Sequence, residues 1–113
     1  MKVDGNNITM TRGDSETISI FCRNEDLTIV PLVTGDKIYF TVKTNVHEVI
    51  IILQKIITIF TDGKAIVIIA PLDTKELKFK SYVYDVQLTK ADGTVSTIIP
   101  PSKFIIGGEA TYE

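Results

Sequence analysis

Side chains branched at Cβ dominate this sequence: eighteen Ile, ten Val and fourteen Thr stand against four Ala and six Leu. Branching at Cβ stiffens χ1 and crowds the turns of a helix, but on a pleated, half-buried surface the same side chains pack well. The bias therefore predicts an all-β chain. Turn signals recur at short intervals, at Gly5-Asn6-Asn7, Arg12-Gly13-Asp14, Gly35-Asp36, Asp62-Gly63, Asp92-Gly93 and Pro100-Pro101-Ser102. Between them lie β-branched segments, the pattern of a sandwich or barrel, with strands expected over 7–11, 16–22, 37–43, 48–59, 64–70, 82–89, 94–99 and 103–106. A length of 113 residues leaves room for one domain, 1–113, with a core that needs no staples.

Several segments alternate with period two, which places one face on a core and the other in water. Ile38, Phe40 and Val42 share one face, with Lys37, Thr41 and Lys43 opposite. Tyr82, Tyr84, Val86 and Leu88 form another inward row, as do Ile18, Ile20 and Cys22. Asp62-Gly63 and Asp92-Gly93 each lie between two such runs and predict two antiparallel hairpins, because Gly reaches positive φ without a steric penalty. A single helical turn is expected within 71–77, with Asp73 as its cap and Glu76 three residues on. The Tyr82-Val83-Tyr84 segment opens a strand after a corner, as the tyrosine corner does in immunoglobulin-like folds, with Asp73 or Thr74 as the expected upstream partner. The fold expected is a two-layer antiparallel β-sandwich, immunoglobulin-like, of about seven to eight strands.

One region breaks the alternation. Val49-Ile50-Ile51-Ile52-Leu53 is apolar on both faces, and so is Ile66-Val67-Ile68-Ile69 across the Asp62-Gly63 turn. A two-layer fold buries only one face of each strand, so the other, either Val49, Ile51 and Leu53 or Ile50 and Ile52, would lie in water unless the chain's own loops or termini, or another chain, cover it. Burying one such side chain is worth about 1.5–3 kcal/mol. Val49, Ile51, Leu53, Val67 and Ile69 are accordingly the expected protein-interface residues.

The inventory for chemistry is thin. A net charge of −2 from 12 basic and 14 acidic residues provides no basic stripe for nucleic acid. Cys22 is the only cysteine, so no intrachain disulfide forms, and its place on the Ile18/Ile20 face predicts a buried, inert thiol. The polar amino terminus lacks a secretory signal, and the apolar run 49–53 is too short to cross a bilayer, which predicts folding in a cytosol without membrane insertion. His47 stands alone and reads as an exposed loop residue, because no strained nucleophile turn accompanies it. One His and one Cys fall short of a zinc set, and no Asp-x-Asp spacing points to calcium. No catalytic, cofactor or metal residues are expected. Arg12-Gly13-Asp14 spells an integrin-recognition tripeptide but reads as a turn between strands. With no Trp and four Tyr, a sugar-stacking groove is poorly supplied.

Thr9-Met10-Thr11-Arg12-Gly13-Asp14-Ser15, followed by alternating Ile18 and Ile20, resembles the amino-terminal domain of phage baseplate upper proteins from Gram-positive hosts and related small prophage tail proteins. Gly35-Asp36-Lys37-Ile38-Tyr39-Phe40-Thr41-Val42-Lys43 is similar to the same family. The likeness continues through Phe60-Thr61-Asp62-Gly63, Pro71-Leu72-Asp73-Thr74, Tyr82-Val83-Tyr84-Asp85-Val86 and Asp92-Gly93-Thr94, so that it covers residues 8–106. It implies a β-sandwich that joins a receptor-binding assembly to a tail, with no catalytic residue to carry over. The implied partners are other phage tail proteins or further copies of the chain, first in the bacterial cytoplasm and then in the virion. Longer members continue into helical or receptor-binding parts where this sequence reaches Glu113, which points to docking rather than host binding. The alternative is a small carbohydrate-binding sandwich with Tyr39, Tyr82 or Tyr84 lining a concave sheet. An enzyme would need His47 brought beside Ser, Asp or Glu.

Overall fold

The alternating segments become strands that share one hydrophobic core. The computed structural model describes residues 1–24 and 26–108. Among the described residues the strands are β1 (Lys2–Asp4), β2 (Asn7–Thr11), β3 (Glu16–Ile20), β4 (Cys22–Arg23), β5 (Ile29–Val30), β6 (Lys37–Lys43), β7 (Leu53–Ile57), β8 (Ala65–Ile69), β9 (Lys80–Thr89) and β10 (Val95–Gly107). A helical turn, α1 (Pro71–Thr74), lies between β8 and β9. The large sheet has six strands in the order β1-β2-β10-β9-β6-β7, while β3–β8 and β4–β5 form two-stranded sheets.

The all-β expectation stands, but the large sheet is mixed rather than antiparallel. β10 runs parallel to β2, with Phe104 opposite Ile8 and Ile106 opposite Met10, while its other neighbour, β9, is antiparallel. Two of the three inward rows read from the sequence are buried throughout, while of the third only Ile20 is buried and Ile18 and Cys22 are half-buried, because the strand breaks at Phe21. Ile38, Phe40 and Val42 of β6 and Tyr82, Tyr84, Val86 and Leu88 of β9 join Phe104 and Ile106 in the core. From the small sheet, Ile20, Ala65, Val67 and Ile69 enter the same cluster. At its centre the rings of Phe40, Tyr84 and Phe104 lie 5.1, 6.0 and 6.2 Å apart, two of the three pairs edge to face. Such pairs add about 0.5–1.5 kcal/mol each beyond the area they bury.

Four boundaries differ from expectation. The strand over 48–59 shrinks to β7, because the Asn45 side chain accepts the His47 N–H at 2.9 Å and its carbonyl accepts the Glu48 N–H at 3.2 Å. Those bonds fold residues 44–52 into a loop. The strand over 16–22 breaks at Phe21, and Cys22 pairs with Val30 in a separate ribbon. The strands over 94–99 and 103–106 are one strand, β10, because Pro100 and Pro101 sit in a bulge, where a residue without an N–H costs no ladder bond. β1 and β5 are too short to show a period and escape sequence reading.

The turns are better conserved between expectation and fold than the hairpins. Asp62 and Gly63 both have positive φ (52° and 74°), and Thr61 and Lys64 exchange backbone hydrogen bonds of 2.9 and 3.0 Å. The chain nevertheless leaves this turn toward different sheets: β7 pairs with β6, and β8 with β3. The Asp92-Gly93 hairpin between β9 and β10 forms as expected, with the Lys90 N–H donating to the Thr94 carbonyl at 2.8 Å.

The corner before β9 also rearranges its expected partners. Asp73 is the third residue of α1 rather than its cap, and its carboxylate accepts the Ala70 N–H at 2.7 Å. Lys55 of β7 pairs with it at 2.9 Å, tying the corner to the sheet edge. The Tyr82 hydroxyl donates to the Lys78 carbonyl at 3.1 Å, and the Tyr84 hydroxyl to the Asn6 carbonyl, in place of Asp73 or Thr74. Thr74 is buried and accepts the Gly13 N–H at 2.8 Å.

Candidate functional site

The residues expected at an interface divide between surface and core. Val49 and Ile51 are 87% and 46% exposed in the loop 44–52, beside Val46 at 52% and Ile50 at 67%. Leu53 begins β7 and packs half-buried against the core. Val67 and Ile69 are wholly buried, so neither belongs to an outer surface. Their strand has no polar residue to mark its outer side, and its pairing with β3 turns Ile68 outward instead, 63% exposed. The apolar surface is thus a loop with neighbouring exposed positions, among them Ile56 of the edge strand β7. It is not the two-faced hairpin that the sequence implied.

A second feature lies on the outer face of the large sheet. Alternation that sends Ile38, Phe40 and Val42 inward sends Tyr39, Thr41 and Lys43 outward. Register then sets Tyr39 between Ile56 and Gln87, Thr41 between Gln54 and Asp85, and Lys43 beside Val83. β10 makes two bulges along this stretch: Ile99 pairs with Val86 and Ser102 with Tyr84, so Pro100 and Pro101 together face Asp85. Bulges locally bend a strand and increase its twist. With the loop 44–52 contributing Val46 and Ile51, the face becomes a cleft of about 450 Å³ with a polar floor and apolar walls.

The cleft holds one carboxylate and one ammonium without joining them. Desolvation pushes the Asp85 carboxyl above its ordinary range, against the opposing pull of the Lys43 ammonium. Lys43 is diagonal to Asp85 on the same face, a spacing of about 7–8 Å between backbone positions. Among the described residues no hydrogen bond or close ion pair engages the Asp85 carboxylate. Gln54 donates to the Thr41 hydroxyl at 3.1 Å, which orients part of the floor. Of the tyrosines expected to line a ligand-binding sheet, Tyr39 faces this cleft, Tyr84 borders it from the core, and Tyr82 is buried because its inward row packs against the core. Ile51 enters from the loop, and the rest look like an ordinary solvated face until β6, β9 and the bulge are brought together.

Other chemistry-bearing groups are spent elsewhere. His47 is exposed in the loop and does not line the cleft. Arg12 of the Arg-Gly-Asp turn is half-buried, donates to the Leu77 carbonyl at 3.3 Å and lies 4.1 Å from the centre of the Phe79 ring. The tripeptide is therefore a packed turn rather than a displayed tip. Burial pushes the Cys22 thiol up, nearby Asp36 adds to this, and Lys90 opposes it, so little reactive thiolate forms. No group of three His, Cys, Asp or Glu among the described residues could hold a metal ion. No helix among them is long and apolar enough to cross a membrane. In comparison with known proteins, no family model, no curated protein and no solved structure matches this chain.

Proposed function

We propose that the chain is a non-catalytic structural module of a phage or prophage tail or baseplate, built as an immunoglobulin-like sandwich that docks on another virion protein or on copies of itself. The sandwich reading draws support from strand order. The neighbours β10-β9-β6-β7 match the G-F-C-C′ sheet of a variable-type immunoglobulin domain, and β3–β8 match its B–E pair. The Tyr82 hydroxyl on the Lys78 carbonyl has the geometry of a tyrosine corner. Virion membership draws on the family likeness over residues 8–106.

The observation that carries docking is the loop 44–52, where Val46, Val49, Ile50 and Ile51 all stand in water. An isolated exposed aliphatic needs no explanation, but four in one loop incur a hydration cost that a partner would remove. The adjacent β7 is an edge strand with free backbone groups, which a partner strand can extend. The test is mass spectrometry of particles released by inducing the prophage, with Val49→Lys and Ile50→Lys chains in parallel. The module is expected in tails, with both variants folded yet depleted from particles. Its absence from particles, or undiminished incorporation of both variants, would refute the proposal.

A further inference from the structure

We propose that the cleft over β6, β9 and the β10 bulge binds a single saccharide ring, with ring hydroxyls held between Asp85 and Lys43 and one apolar face of the sugar against Tyr39. This goes beyond docking: it assigns a ligand to the sheet face beside the docking loop, whose Val46 and Ile51 also wall the cleft, and it rests on the polar floor of β6 and β9 rather than on the docking reading.

The cleft's volume of about 450 Å³ falls within the range of about 300–1,000 Å³ typical of small-molecule sites. Its chemistry then narrows the ligand. Asp85 accepts only, Lys43 donates only, and Gln87 does both, so the floor offers donors and acceptors side by side. A polyol is the ligand class whose every group can do the same. Because the carboxylate and the ammonium sit diagonally without closing on each other, neither has to be freed before a ligand enters. A pair of adjacent hydroxyls can donate to Asp85 and accept from Lys43, two charge-assisted bonds in a partly desolvated place.

A zwitterion such as an amino acid would also satisfy that pair, but it would leave the neutral amide of Gln87 without a role. The walls support the sugar as well. Tyr39, Val46 and Ile51 supply an amphipathic ring and two aliphatics, suited to the C–H face of a pyranose. One aromatic wall fits one ring, which points to a monosaccharide or a terminal residue rather than an extended chain.

The full chain, labelled with nitrogen-15, is titrated with the methyl glycosides of glucose, galactose, mannose and N-acetylglucosamine, and screened on a glycan array. The expected result is saturable movement of the Thr41, Asp85 and Gln87 amide signals with at least one sugar. Asp85→Asn and Tyr39→Ala should each weaken that binding about tenfold or more, the loss of one charge-assisted bond or one stacking wall. Leu72→Ala, on the exposed part of α1, should leave it unchanged. If Tyr39→Ala fails to fold, Gln87→Ala takes its place. The inference is overturned if no sugar binds, if binding survives both cleft variants within twofold, or if glycine moves these signals and the sugars do not.

Discussion

Adjacent isoleucines on β8 provide the sharpest test of how this chain separates inside from outside. Ile69 is fully buried and Ile68 is 63% exposed, yet they share residue type, strand and neighbours in sequence. Ile→Ala removes three carbon groups at either position. At about 0.8 kcal/mol per buried group, the transfer loss at Ile69 is about 2.4 kcal/mol, and the cavity left behind raises it to about 3–4 kcal/mol. At Ile68 only about a third of that surface is buried and no closed cavity forms, so the loss is about 1 kcal/mol. β-propensity and most unfolded-state effects cancel between the two variants, leaving burial as the difference. Urea denaturation followed by far-UV circular dichroism, with the m-value held common, measures both. The expected gap is about 2–3 kcal/mol, with Ile69→Ala the weaker protein. Equal losses, or a larger loss at Ile68, would refute both the face assignment of β8 and the exclusion of Ile69 from the outer surface.

Tyr84→Phe keeps the central ring but removes the part-buried hydrogen bond to the carbonyl of the exposed residue Asn6, so chemical denaturation should show a loss of about 1 kcal/mol. A methyl at Gly63 would stand 2.9 Å from Pro31 Cβ at a φ of 74°, and Gly63→Ala should cost about 1–3 kcal/mol, read as a fall in Tm. Burial opposes the charge on Asp73, but the Lys55 ammonium and the Ala70 N–H outweigh it and hold the carboxyl below its ordinary range. A lowered folded pKa stabilises above the unfolded value of about 3.9 and is lost as pH falls through the folded one. Asp73→Asn should therefore be less stable than the parent at neutral pH, with the two melting curves converging in acid.

Much of the local design is written in the sequence itself. Strict alternation at Lys37–Lys43 and through Tyr82, Tyr84, Val86 and Leu88 identifies the buried rows, because a period of two leaves each side chain only one of two faces. The positive-φ turn at Asp62-Gly63 and the hairpin at Asp92-Gly93 are likewise local matters of which residues tolerate that backbone. Where both faces are apolar, the alternation carries no label, and so Val67 and Ile69 could be taken for surface. Their burial follows from the pairing of β8 with β3, segments far apart in the chain. The same holds for the parallel contact of β10 with β2, for the parting of β7 from β8, and for the bulge that sets Pro100 and Pro101 over Asp85. Each depends on which distant strand is nearest, and that is settled by the packing of the whole core rather than by any window of sequence. The cleft inherits this dependence, because Tyr39, Asp85 and Gln87 are three outward residues on two strands that become one site only when β6 lies against β9.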